Sequence, residues 1–295
     1  MRRLALLLLL TFSANANYRE FLAIARDPQL DAKLRAAAEA TLQAYPKLKA
    51  DDLAISVVDV SRNVRGDVHG DTPFYPASVI KLFFMADVYQ TRKQHVGDVD
   101  RALREMMVVS DNDATAYLVD LLANTVPGPP LEGRALRRYL DRRRAINRRF
   151  ERLGYTNNVS AMMKPWSFGP YGVDLQVLGE NRVNRNKLTA NATASLLQWI
   201  VSSRAPGATE MMKLLERPLA PLREDENQVK EFIGEALPPT AKLWSKAGWT
   251  SEVRHDAAYI EMNGRKLIVV IFTRGTAGDV TLIPAVTRNV LAQLN

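Results

Sequence analysis

What most constrains this chain is where its strand-forming segments fall. Residues 54–60 (AISVVDV) are dense in β-branched side chains, and 64–70 supplies a short partner for a local hairpin. Three further strand candidates, 242–248, 253–262 and 266–274, come together near the other end, with Asn263-Gly264 as the turn between the last two. Between these groups, from Ser78 to about residue 235, apolar residues recur at helical spacing. Strands left unpaired would expose a row of backbone donors and acceptors, so the two groups have to meet. The economical architecture is α+β: one mostly antiparallel sheet built from both chain ends, flanked by helices over 18–26, 30–44 and 282–294. An all-helical lobe is inserted in the middle. The expected division is an α/β lobe from about 17–75 and 240–295, a helical lobe over about 76–239, and a cleft between them.

Residues 1–16 combine Arg2 and Arg3, an apolar run from Leu4 to Phe12, and small residues ending Ala14-Asn15-Ala16. This is the layout of a cleavable export signal. The apolar run is nine residues long, whereas a bilayer-spanning helix takes roughly twenty. Cleavage near Ala16 is expected, giving a secreted or periplasmic protein with no stable membrane anchor. Residues 17–295 then form the working domain, expected to be a monomer.

With no cysteine, the chain has neither disulfides nor a thiolate nucleophile, and no cysteine for lipid attachment. Forty Lys and Arg face 32 acids, and many of the excess arginines lie between Arg134 and Arg152. Leu136, Leu140, Ile146, Phe150 and Leu153 recur among them at helical intervals, so this stretch reads as a surface helix with a solvated basic face. Attraction to anionic envelope polymers or nucleic acid is the lesser reading, and nucleic acid is not an expected partner. The three histidines, His69, His95 and His255, fit neither a zinc motif nor a triad framed by G-x-S-x-G, and read as structural or exposed.

Three short motifs carry chemistry. In Pro76-Ala77-Ser78-Val79-Ile80-Lys81, a helix starting near Ser78 places Lys81 over the same face, within reach of the hydroxyl. A serine becomes a good nucleophile when a base takes its proton, and a lysine serves once burial or neighbouring cations lower its pKa. Ser110-Asp111-Asn112 offers a second hydroxyl to relay a proton and an amide to grip a peptide-like substrate, although each residue is also a good helix cap. Lys246-Ala247-Gly248 sets a cation at a strand end, beside a glycine that lets a ligand lie against the backbone.

In this order, S-x-x-K, S-D-N and K-A-G resemble the motifs of the class A β-lactamase and penicillin-binding protein family. The resemblance implies Ser78 as the acylated residue and Lys81 as its base or relay. Ser110 passes the proton to the leaving nitrogen, Asn112 holds the substrate amide, and Lys246 attracts the substrate carboxylate, with Arg254 assisting. The backbone N–H groups of Ser78 and Trp249, the latter following Gly248, form the oxyanion hole.

Two positions depart from the family pattern. Ala247 stands where Thr or Ser is usual, removing a hydroxyl that Thr250 could replace. The family's deacylating glutamate, in E-x-x-L-N, finds a near match in Glu180-Asn181-Arg182-Val183-Asn184, but counting from the flanking motifs puts the expected glutamate near Lys164 or Val173. Glu180 is thus either the deacylating base or an ordinary surface glutamate.

The resemblance implies a small-molecule partner, a β-lactam or a peptidoglycan stem peptide, and no cofactor or metal. D,D-peptidase-like penicillin binding with slow β-lactam turnover is slightly preferred over a true β-lactamase using Glu180. A non-catalytic sensor of wall fragments or β-lactams is the alternative of another class. Against it, a pure binder needs no proton relay, and Ser78, Lys81, Ser110 and Asn112 are all present.

Overall fold

The computed structural model describes residues 17–91, 97–166, 169–220 and 228–294. The expected export signal, residues 1–16, lies outside them. The chain opens with α1 (Asn17–Ala23), β1 (Ala25–Arg26) and α2 (Pro28–Ala44), followed by the hairpin β2 (Leu53–Asp59) and β3 (Val64–Val68). The middle contains α3 (Lys81–Thr91), α4 (Asp98–Arg104), α5 (Asn112–Ala123), α6 (Gly133–Arg152), β4 (Val159–Ser160), α7 (Gly172–Leu178) and β5 (Lys187–Leu188). Next come α8 (Ala190–Val201), α9 (Ala208–Leu215) and β6 (Glu216–Arg217). The chain closes with β7 (Lys242–Trp249), β8 (Val253–Met262), β9 (Arg265–Arg274) and α10 (Leu282–Leu294).

One seven-stranded sheet runs β1-β3-β2-β9-β8-β7-β6, antiparallel except where β1 lies parallel to β3. The strand groups from the two chain ends meet at β2 and β9, with Val57 opposite Val269. Alternation sorts the side chains. Ile55, Val57, Val269 and Ile271 pack with Leu34 of α2 and Val286 of α10, while Val58, Ile268, Val270 and Phe272 face Leu196 of α8 and Phe83 of α3. Each such side chain contributes roughly 1.5–3 kcal/mol of transfer free energy. Asn263 and Gly264 have φ of 51° and 75°, the paired left-handed conformation of a two-residue hairpin turn, which is why this dipeptide joins β8 to β9.

Two details differ from the sequence reading. The first helix stops at Ala23, because residues 25 and 26 leave it to pair with Val64 and Arg65. The middle of the chain is not purely helical: β4 and β5 form a two-stranded ladder, and β6 returns to the edge of the main sheet against β7.

Candidate active site

Ser78 sits on a 3₁₀ turn, Ala77–Ile80, that leads into α3. Ala77 has φ of 46°, a left-handed conformation costing a residue with a β-carbon about 1–2 kcal/mol. The turn is closed by Val79 N–H donating to Pro76 O (3.1 Å) and backed by β7. A β-carbon on Gly248 would lie 2.7 Å from the amide nitrogens of both Ser78 and Val79 and 3.0 Å from Pro76 O, so only glycine lets the strand approach this closely. Behind the turn, His255 Nδ1 accepts from Thr273 N–H (3.1 Å), which leaves the proton on Nε2 to donate to Tyr75 O (2.8 Å). Burial pulls this imidazole down to about 4, so it is a neutral brace for the nucleophile turn.

Lys81, the first residue of α3, is fully buried, and Nζ donates to Ser110 O (2.6 Å), Ser110 Oγ (3.2 Å) and Asn112 Oδ1 (2.8 Å). Burial pulls its amine from 10.5 down to about 7, against the opposing pull of the Asp111 carboxylate. Ser78 and Lys81 line one cavity of about 630 Å³. Among the described residues, however, Ser78 is not a hydrogen-bond partner of Nζ, so the direct contact expected from the spacing is not formed here.

The residues of the second motif divide its tasks. A wider π-type turn, Glu105–Val109, delivers Ser110 with φ of 64°. Asp111 is the N-cap of α5, its Oδ1 accepting from Ala114 N–H (2.6 Å). Capping thus accounts for Asp111, while Ser110 and Asn112 gather around Lys81. Ser110 Oγ also accepts from Lys246 Nζ (3.0 Å), which places this hydroxyl between two lysines.

Lys246 is buried within β7 and does not line the cavity. Its other donors go to Gln228 Oε1 (2.5 Å) and Ala247 O (2.7 Å). Burial, then the Lys81 and Arg217 cations, push its amine well below the ordinary value, while the three acceptors favour the ammonium. Lys246 thus has its three donors engaged, one of them on Ser110 Oγ. Arg254 lies on β8. It is buried away from the cavity, donating to Ala277 O (3.0 Å) and Glu231 Oε2 (3.4 Å) over the Phe232 ring. Trp249 and Thr250 do line the cavity. The sequence reading missed Gln228, whose Nε2 donates to Met107 O (3.1 Å) and Val108 O (2.8 Å), tying β7 to the turn before Ser110.

Glu180 does not enter the cleft. It is exposed on a 3₁₀ turn, Glu180–Arg182, and does not line the cavity. The wall is instead held by Lys164, which lies between Asp120 (2.8 Å) and Asp174 (2.9 Å); fully buried Arg143 bridges the same two carboxylates (3.2 and 3.3 Å). Among the described residues, the charged side chains lining the cavity are Lys81, Lys164, Arg182 and Arg185, all cations.

A half-buried serine at a helix start, one turn ahead of a buried lysine near neutrality and backed by a second hydroxyl, suits acyl transfer in which lysine rather than histidine handles the proton. Proteins that combine this fold with this machinery are penicillin-recognising serine enzymes. The chain belongs to the β-lactamase enzyme family, whose model matches residues 92–294. That match begins beyond Lys81, so the nucleophile turn lies outside the matched residues.

Solved structures share the fold. A β-lactamase from Sphaerobacter thermophilus is 20% identical, with 88% of this chain and 97% of that one covered at a TM-score of 0.59. A β-lactamase from Xanthomonas campestris is 17% identical (90% and 99%, TM-score 0.63). A variant of PBP-A, solved as an acyl-enzyme complex with penicillin G, is 16% identical (89% and 96%, TM-score 0.63). No curated protein matches the chain in sequence.

Proposed function

We propose that the protein is an exported D,D-peptidase-like penicillin-binding enzyme, which forms an acyl-enzyme at Ser78 with β-lactams or D-Ala-D-Ala-type peptides and releases β-lactam products slowly. Neutral Lys81 takes the proton of Ser78 Oγ as that oxygen attacks the carbonyl carbon. The oxyanion is held by the N–H groups of Ser78 and Trp249. As the C–N bond breaks, Ser110 gives its proton to the leaving nitrogen and is reprotonated by Lys81. Water or an amine then attacks the Ser78 ester and frees the serine.

One observation carries the preference for slow turnover: among the described residues no carboxylate lines the cavity beside Ser78, and Lys164 occupies the wall where a deacylating glutamate is expected. Without a base for the incoming water, the ester of a β-lactam persists. The acyl-enzyme solved for a PBP-A variant is consistent with this chemistry on this fold.

The test is the lifetime of the penicillin adduct, followed by intact-protein mass, in wild type and in Glu180→Gln. The expected result is a single adduct, absent in Ser78→Ala, whose lifetime does not respond to Glu180→Gln. Fast turnover lost in Glu180→Gln would establish a β-lactamase instead.

A further inference from the structure

The usual carboxylate anchors are weakened in this cleft. Lys246 has spent its donors, Ala247 lacks a hydroxyl, and Arg254 is engaged elsewhere. The cations that do reach the cavity differ in how far they are already compensated. Lys81 and Lys164 donate to partners named above. Arg185 lies over the Tyr75 ring at 3.6 Å, with both terminal nitrogens on Glu252 Oε2 (3.1 Å each). Arg182, in contrast, is exposed, and no side-chain hydrogen bond or ion pair engages its guanidinium among the described residues.

The turn that presents Arg182 is strained yet well held. Asn181 and Arg182 are consecutive residues with β-carbons at φ of 52° and 57°; asparagine tolerates this region, whereas it costs Arg182 about 1–2 kcal/mol. The surrounding backbone fixes them: Arg182 N–H donates to Gly179 O (3.2 Å), Asn184 N–H to Leu178 O (3.1 Å), Arg185 N–H to Arg182 O (2.9 Å), and Asn184 Nδ2 to Val177 O (2.8 Å). Strain of this kind persists where surrounding structure over-determines it, and it concentrates at ligand-contacting segments.

We propose that Arg182 forms a carboxylate-binding subsite at the cleft mouth, beside the Glu252-paired Arg185, that selects substrates carrying an anionic group on their acyl portion. The inference rests on Ser78 acylation as the protein's chemistry. The acyl amide is held at Asn112, and the rest of the acyl group extends along the same cavity toward residues 179–186. A guanidinium pairs with a carboxylate in bidentate fashion, and no acid among the described lining residues competes for it.

The experiment compares benzylpenicillin with carbenicillin, which differ by one carboxylate on the acyl side chain. The readout is the ratio of their second-order acylation rates in wild type, Arg182→Ala, Arg182→Glu and, as a surface control on α6, Arg144→Ala. The carbenicillin-to-benzylpenicillin ratio is expected to fall about 1.5- to 5-fold in Arg182→Ala, the range for a solvent-exposed charge pair, and further in Arg182→Glu. It should hold in Arg144→Ala and shrink with added salt in wild type. A ratio unmoved by either Arg182 substitution overturns the subsite. The same two ligands are also titrated to equilibrium against Ser78→Ala with and without Arg182→Ala. If neither ligand acylates wild type, the Ser78 reading fails, and the binding ratio alone then upholds or overturns the subsite.

Discussion

Acidity at Lys81 controls the proposed acylation and can be tested by changing only pH. An ordinary lysine at 10.5 is neutral in about one molecule in 3,000 at pH 7, whereas one brought to about 7 is neutral in about half. The two cases differ in the shape of the profile as well as its level. For Lys81 near 7, lowering pH from 8 to 6 cuts the neutral fraction about tenfold, and the rate reaches a plateau above pH 8. For an unshifted lysine the same interval costs about a hundredfold, with no plateau. The assay is the second-order acylation rate with benzylpenicillin from pH 5 to 9, which reports the free enzyme. Asp111→Asn adds a second arm. It removes the carboxylate that favours the charged amine but keeps a capping side chain for α5, so the midpoint should move to lower pH. A profile still rising in proportion to hydroxide at pH 9, or one independent of pH throughout, would refute Lys81 as the base. So would a midpoint that moves upward in Asp111→Asn.

Two substitutions test the scaffold. Gly248→Ala puts a methyl against the Ser78 and Val79 amides and should cost about a hundredfold in acylation, together with about 1–3 kcal/mol of stability in urea; acylation within threefold of wild type would show that the turn yields without consequence. Arg143→Ala leaves Asp120 and Asp174 with one cation, Lys164, between them among the described residues and should destabilise the protein by about 3–5 kcal/mol, and a loss under about 1 kcal/mol in equilibrium denaturation would show that the quartet is structurally idle.

Much of this was legible because local rules and the global fold agree. The β-branched runs, the Asn263-Gly264 turn and the apolar stripe of α10 each announce their own element, and the sheet follows from strands that have no other partners. Residue type and spacing pointed to the motif residues: Lys81, Ser110 and Asn112 form one hydrogen-bonded cluster, and Ser78 lines the cavity with Lys81 and Asn112. Glu180 shows the limit of a near match in sequence, which says nothing about which side of a turn a side chain takes. Lys246 and Arg254 were visible in sequence as cations, whereas the groups that hold their donors were not. Gln228 was invisible for the same reason: its value lies in linking Lys246 to Met107 and Val108, a relation between distant segments.

The sheet that joins both ends of the chain also sets a schedule for synthesis. Lys246 reaches Ser110 across 136 residues, and β2 waits beside an empty slot until β9 has been made. A nascent chain therefore carries an open strand edge and half a site through most of translation, with long-range pairing as its slow step. A message cut short before β7 yields Ser78 and Lys81 without the strand that backs them. In this architecture the site assembles only once β7 has been made.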